Sequence, residues 1–256
     1  MNTEMNDTIN KFTNNKNEGD NRPDISFLVS DAENNKAYFG GNQSWFKRNT
    51  QARSGCSSIA ALNTFLRLTD GFPIEKSAYI KRMNDMYKSM GAIEVPILRK
   101  LYDKKTTLKI FNIIPPSFGQ STIGYIKGML KYASRNGLKL KFHLFPSFLH
   151  SYSRGLRFIK KGLEKAGAVT LLTARNRHPL TLYSALRSIA SKPESLKGGM
   201  RNHFVVITGI DDSSDKLKLI ISTWGRIATI DYDDLVRSWH RPGALLSSMV
   251  YFTKKP

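Results

Sequence analysis

At Gly167 this chain changes from one kind of periodicity to another. Before it, from Cys56 to about Lys165, apolar residues recur three and four apart, the spacing of one helix face. Ile59, Ala60, Leu62, Phe65 and Leu66 do so in SIAALNTFLRL. Pro73 opens PIEKSAYIKRMNDMYKSMG, which stops at a glycine, and Ser121 opens STIGYIKGMLKYASRNG, which ends on Asn136 and Gly137. A fourth stretch, SRGLRFIKKGLEKAG, also ends at a glycine. After Gly167 come AVTLLTA, HFVVITGI, LKLIIST, RIATID and SSMVYFTK, short runs rich in Val, Ile and Thr. Turn residues such as DDSSDK separate them, with one short helix, DDLVRSW, between. Helices first and strands second favour an α+β fold over a βαβ parallel sheet. The expected architecture is a helical lobe over about 50–166 packed on an antiparallel β lobe over about 167–254, with the site in the cleft between.

Residues 1–24 are rich in Asn, Asp, Glu and Thr and hold too few large apolar side chains to offset the entropy of ordering them. They are expected to form a disordered tail ahead of one domain over 25–256. Tyr38 to Asn49, YFGGNQSWFKRN, reads as an irregular segment laid across the surface. No apolar run reaches membrane-helix length and no signal-peptide pattern opens the chain, so the expectation is a soluble, cytoplasmic protein.

Charge is divided unevenly. Residues 1–35 carry −4 and residues 36–256 carry +24, within a net +20. The folded part should therefore attract anionic partners: nucleic acid, an anionic surface or an acidic polypeptide. A solvated lysine-rich surface is the plainer reading of the same charge.

The chain has one cysteine, so no internal disulfide forms and the thiol is free to pack or to react. Cys56 stands at a helix start, where unpaired N–H groups and the helix dipole favour a thiolate. Gly55 before it permits close backbone approach. His203 begins the HFVVITGI strand. If DDSSDK is a hairpin turn, His203 comes close to Ser222–Gly225 on the following strand. A base that takes a proton from a thiol needs its ring held by a third group, and this segment can supply one.

These motifs, in this order, resemble the papain-like cysteine peptidase superfamily, in particular its compact bacterial branch that includes the leader peptidases of bacteriocin export. The resemblance spans roughly 49–252 and implies that Cys56 is the nucleophile and His203 the base. It places ISTWG on the family's Asn-Ser-Trp-Gly, so that Ser222 takes the orienting position and Trp224 and Gly225 the pair that shields it. The family's oxyanion glutamine usually lies six residues before the cysteine, whereas Gln51 lies five before Cys56. Either the loop absorbs the offset, or the Cys56 N–H acts alone or with another group. The implied function is a cysteine peptidase or related amide hydrolase acting on a peptide or protein substrate, with acidic ones favoured by the charge; acyl transfer uses the same parts.

The alternative is an inactive scaffold of this type that binds nucleic acid or another polyanion through its basic surface, where FKRNTQAR, LRKLYDKK and YIKGMLKYASR interleave aromatics with cations. No cofactor motif is present, and neither paired histidines nor acidic clusters near them support a metal site.

Overall fold

A computed structural model describes residues 27–91, 93–94, 117–118, 120–149, 151–173, 180–184, 195–200, 202–240 and 246–255. The expected tail, the segment LRKLYDKK, His150 and His178 lie outside these residues.

The first strands, β1 (Leu28–Asp31) and β2 (Lys36–Phe39), pair antiparallel, and β3 (Ile74–Glu75) joins β1 in parallel. A short helix α1 (Asn49–Ser54) leads directly into α2 (Cys56–Leu68), followed by α3 (Lys76–Met90). The two-residue strands β4 (Ile93–Glu94) and β5 (Ser117–Phe118) pair with each other ahead of α4 (Thr122–Arg135). Next come β6 (Leu140–Pro146), α5 (Tyr152–Ala166), β7 (Val169–Thr173), β8 (Leu180–Ser184) and β9 (Ser195–Met200). The chain closes with β10 (His203–Asp211), β11 (Lys218–Thr223), β12 (Arg226–Asp231), α6 (Tyr232–Trp239) and β13 (Ser248–Lys254).

Ser121, Asn136, Gly91 and Gly167 act as expected, but the run opened by Pro73 turns helical only at Lys76, because Ile74–Glu75 form β3, and α5 begins at Tyr152, one residue ahead of the expected SRGLRFIKKGLEKAG. Ser121 Oγ accepts from the Gly124 N–H at 3.1 Å and Ser151 Oγ from the Arg154 N–H at 3.4 Å, capping α4 and α5. Gly91 and Gly167 end α3 and α5 in left-handed conformation.

Eight strands make one antiparallel sheet in the order β6-β13-β7-β10-β11-β12-β8-β9. All five expected strands lie in it. The protein is thus α+β, with the cysteine-bearing helix packed on an antiparallel sheet. Two expectations need correction. Residues 140–146 were placed in the helical lobe but form β6, which zips to β13 along its full length. Their run LKFHLFP is bounded by Pro146, and cross-strand pairing with β13 decides the local conformation. Tyr38–Asn49 is also more regular than expected, since β2 and a 3-10 turn, Gln43–Trp45, occupy part of it.

Helix α2 runs through the middle of the molecule between the sheet and α3 and α4. Eleven of its thirteen residues are buried, so its polar side chains need internal partners. Thr64 Oγ1 lies 3.1 Å from Thr170 Oγ1, and the Tyr79 hydroxyl donates to Asn63 Oδ1 at 2.7 Å. Packed on every side and bonded across it, α2 holds its first residue, Cys56, in a fixed place.

Candidate active site

Cys56 opens α2 with no side-chain cap ahead of it, so the N–H groups of the first turn remain available. Gly55 is required there by space: a Cβ would run into the Phe46 ring and come within 2.6 Å of the Gln51 carbonyl oxygen. The thiol meets the backbone N–H groups of Phe204, Ser57 and Cys56 itself. Phe204 follows His203 on β10, so the strand start and the helix start meet at the sulfur. Cys56, His203, Phe204, Ser222, Thr223 and Trp224 line one cleft, together with Gln43 and three α2 residues, Ile59, Ala60 and Asn63. The cleft is narrow, about 10 Å³, room for a single water.

The expected hairpin is present, and its register decides which hydroxyl reaches the histidine. Val206 pairs with Ser222. Alternation along the strands then puts Thr223 on the face of Val205 and His203, and Ser222 on the opposite face. Accordingly, His203 Nε2 is hydrogen-bonded to Thr223 Oγ1 at 3.0 Å. Ser222 Oγ instead donates to the Phe39 carbonyl at 2.8 Å and accepts from Asn63 Nδ2 at 3.4 Å. The orienting position implied by the resemblance is therefore one residue early: alignment on Trp-Gly places Ser222 there, while the pleat of this hairpin turns Thr223 toward the ring.

Trp224 and Gly225 form the two-residue turn between β11 and β12, both at positive φ, +48° and +71°. Such a turn normally takes Asn or Gly at its first position. The strained tryptophan here stacks on His203, ring centroids 4.7 Å apart and 24° from parallel. The turn is fastened to the loop after β2: Gly225 N–H donates to the Gly41 carbonyl, Phe39 N–H to the Gly225 carbonyl, and Asn42 Nδ2 to the Trp224 carbonyl, each at 3.0 Å.

That loop carries Gln43 into the cleft, a residue the sequence reading passed over. Its Oε1 is buried without a hydrogen-bond partner. Gln51 sits on α1 and is not among the residues lining the cleft. The available signal was the run GGNQSW, in which a glutamine stands two residues after a Gly-Gly pair and two before a tryptophan. It lies thirteen residues before Cys56, and the inserted helix α1 fills much of that interval.

Burial governs the charges. His203 is 8% exposed, and loss of hydration lowers its pKa to about 4. Cys56 keeps some exposed surface, yet burial of the thiol pushes its pKa up and outweighs the three N–H groups that favour the thiolate. Near neutral pH the resting pair is thus thiol and neutral imidazole. The thiolate expected from the helix position gives way to desolvation. Among the described residues no group of three His, Cys, Asp or Glu could hold a metal ion.

No protein-family model and no curated protein matches the chain. Among solved structures, five chains match; one is the crystal structure of the Pseudomonas avirulence protein AvrPphB, similar at a TM-score of 0.34 and 7% identity over 80% of this chain and 94% of that one. A likeness of this degree carries no inference about activity.

Proposed function

We propose that this protein is a cysteine peptidase or related amide hydrolase in which Cys56 attacks the carbonyl carbon and His203 is the base. The observation that carries the reading is that the thiol, the imidazole, its hydroxyl partner Thr223 and its cover Trp224 share one cleft. In the tautomer where Nε2–H donates to Thr223, Nδ1 keeps the lone pair that a general base needs.

Because the resting pair is neutral, the proton moves as the C–S bond forms rather than beforehand. His203 takes it from sulfur and the carbonyl oxygen becomes the oxyanion. Collapse of the tetrahedral species breaks the C–N bond, and His203 returns the proton to the departing amine, leaving a thioester on Cys56. Water, with His203 again as base, releases the acid and restores the thiol; an amine in place of water gives acyl transfer. The Cys56 N–H and the Gln43 amide are the oxyanion donors. A half-turn of that amide exchanges Oε1 for Nε2 and puts a donor where an unpartnered acceptor now lies.

The test is cleavage of a denatured protein and of a peptide library, read by mass spectrometry, for the wild type, Cys56→Ala and His203→Ala. Cleavage by the wild type that both variants lose is the expected result. Wild-type cleavage no greater than that of Cys56→Ala overturns the proposal.

A further inference from the structure

Seven large hydrophobic side chains are exposed among the described residues, and six of them lie between Ile123 and Tyr152. Phe142 and Leu144 alternate along β6, one of the two edge strands of the sheet. Phe148, 66% exposed, and Leu149, 52% exposed, stand out on the 3-10 turn Ser147–Leu149 that follows. The seventh, Leu246, precedes Ser247, whose carbonyl accepts from the Ser147 N–H at 3.0 Å, so it joins the same end.

The same stretch is almost free of negative charge. Residues 120–166 hold ten Lys and Arg against the single carboxylate Glu164. All ten cations are exposed, and none is ion-paired to a described carboxylate. Lys127 and Lys131 follow Ile123 along α4, while Arg154, Arg157, Lys160 and Lys161 run down the outer side of α5. A solvated surface ordinarily mixes both signs and keeps its Phe and Leu scattered singly. Here unbalanced cations and clustered apolar side chains coincide.

The two halves of the pattern choose the partner. Cations alone fit any polyanion, and Phe142, Phe148 and Tyr152 carry rings, but the other four exposed side chains, Ile123, Leu144, Leu149 and Leu246, offer none on which bases could stack. Apolar side chains projecting beside cations match a bilayer interface, where acyl chains lie beneath anionic headgroups. No described helix is long and apolar enough to cross a membrane, so such a contact would be peripheral.

We propose that the sheet edge formed by β6 and its 3-10 turn, flanked by α4 on one face of the sheet and α5 on the other, docks this protein on an anionic lipid surface, with Phe148 and Leu149 entering the acyl region and the surrounding lysines and arginines meeting the headgroups. The turn stands at the end of the sheet that carries the histidine. Thr173 pairs with His203, Leu172 with Ser248, and Ser248 with Pro146. Three strand spacings, about 14 Å, therefore separate it from the cleft. Docking there holds Cys56 and His203 close to chains presented at the membrane.

The full chain is sedimented with vesicles of phosphatidylcholine alone and of phosphatidylcholine with phosphatidylglycerol, at low and high salt. Binding only to the phosphatidylglycerol vesicles, weakening with salt, is expected. The exposed pair Phe148→Asp and Leu149→Asp should weaken it by about tenfold or more without altering the circular dichroism spectrum, and Lys127→Glu with Lys131→Glu should weaken it too. Absence of binding at low salt overturns the proposal, as does full binding by the Asp double variant. A single-stranded oligonucleotide that displaces the vesicles and itself depends on Phe148 would make this a nucleic-acid surface instead.

Discussion

The His203 imidazole is held edge-on by Thr223, Nε2 to Oγ1 at 3.0 Å, while Trp224 covers its face. Thr223→Val keeps the side-chain shape and removes the hydroxyl. It is expected to lower kcat about tenfold, the value of one hydrogen bond of ~1.4 kcal/mol, with KM unchanged. Thr223→Ser should restore the rate. Ser222→Ala should leave kcat near wild type, because that hydroxyl serves Phe39 and Asn63. Steady-state kinetics on the cleaved peptide decide it: equal losses for Thr223→Val and Ser222→Ala would remove Thr223 from its role.

Alkylation of Cys56 reads the protonation of the resting pair. Burial raises the thiol above its ordinary value and no imidazolium offsets this. The iodoacetamide rate should keep climbing as pH passes the ordinary thiol pKa of ~8.5, and His203→Ala should leave that profile in place. A rate already level at neutral pH, and lost in His203→Ala, would mean a pre-formed thiolate–imidazolium pair.

His203 also links stability to pH. Its pKa is lowered from 6.5 to about 4 in the folded protein. Unfolded chains therefore take up a proton below pH 6.5 that folded chains refuse until about 4. Stability is complete above that window, falls as pH drops through it and levels beneath it, a loss of about 3 kcal/mol from this residue. His203→Gln cannot titrate, so the difference between wild type and variant in urea unfolding should shrink by that amount between pH 7 and pH 4. A constant difference would show that the ring titrates normally in the fold.

What the sequence made legible, and what it hid, follows from the range over which each signal acts. Ser121, Gly91 and Gly167 mark helix ends through bonds within a few residues, and the structure uses them so. The approach of His203 to the Trp-Gly turn was legible because one hairpin sets it. Thr223 was not, because a motif alignment carries no pleat and a one-residue shift turns a side chain to the other face of a sheet. β6 was missed because its partner β13 lies over a hundred residues away. Gln43 was missed because it reaches the cleft through bonds from Asn42 and Gly41 to a turn near residue 225, far along the chain.

Gln43 and Gln51 can be separated by their positions. Gln43 lines the cleft and Gln51 does not. Gln43→Ala is expected to lower kcat by about a hundredfold with little change in KM, the pattern of a lost oxyanion donor. Gln51→Ala should stay within about twofold of wild type, as expected of a half-buried residue that does not line the cleft. Kinetics of the two variants on one peptide give the answer, and the reverse ranking would return the donor role to Gln51.

Gly40 ties the cleft loop to the core, and it has no room for a side chain. Its φ is +75°, and a Cβ there would crowd Asn63 Nδ2 and stand 2.6 Å from Ser222 Oγ. Both neighbours are buried and hydrogen-bonded, Asn63 to the Tyr79 hydroxyl and Ser222 to the Phe39 carbonyl, so neither can yield without breaking a bond. Gly137 supplies the comparison, with φ +73° but nothing within 4 Å of the same Cβ. Gly137→Ala should cost about 1 kcal/mol for the left-handed backbone alone. Gly40→Ala should cost about 1–3 kcal/mol beyond that for the overlap, and lower Tm by several degrees more. It should also reduce turnover, since the displaced loop carries Gln43 and is bonded to the Trp224–Gly225 turn over His203. Thermal unfolding of the two variants side by side measures the overlap, and equal losses would mean that the loop shifts freely and does not brace the cleft.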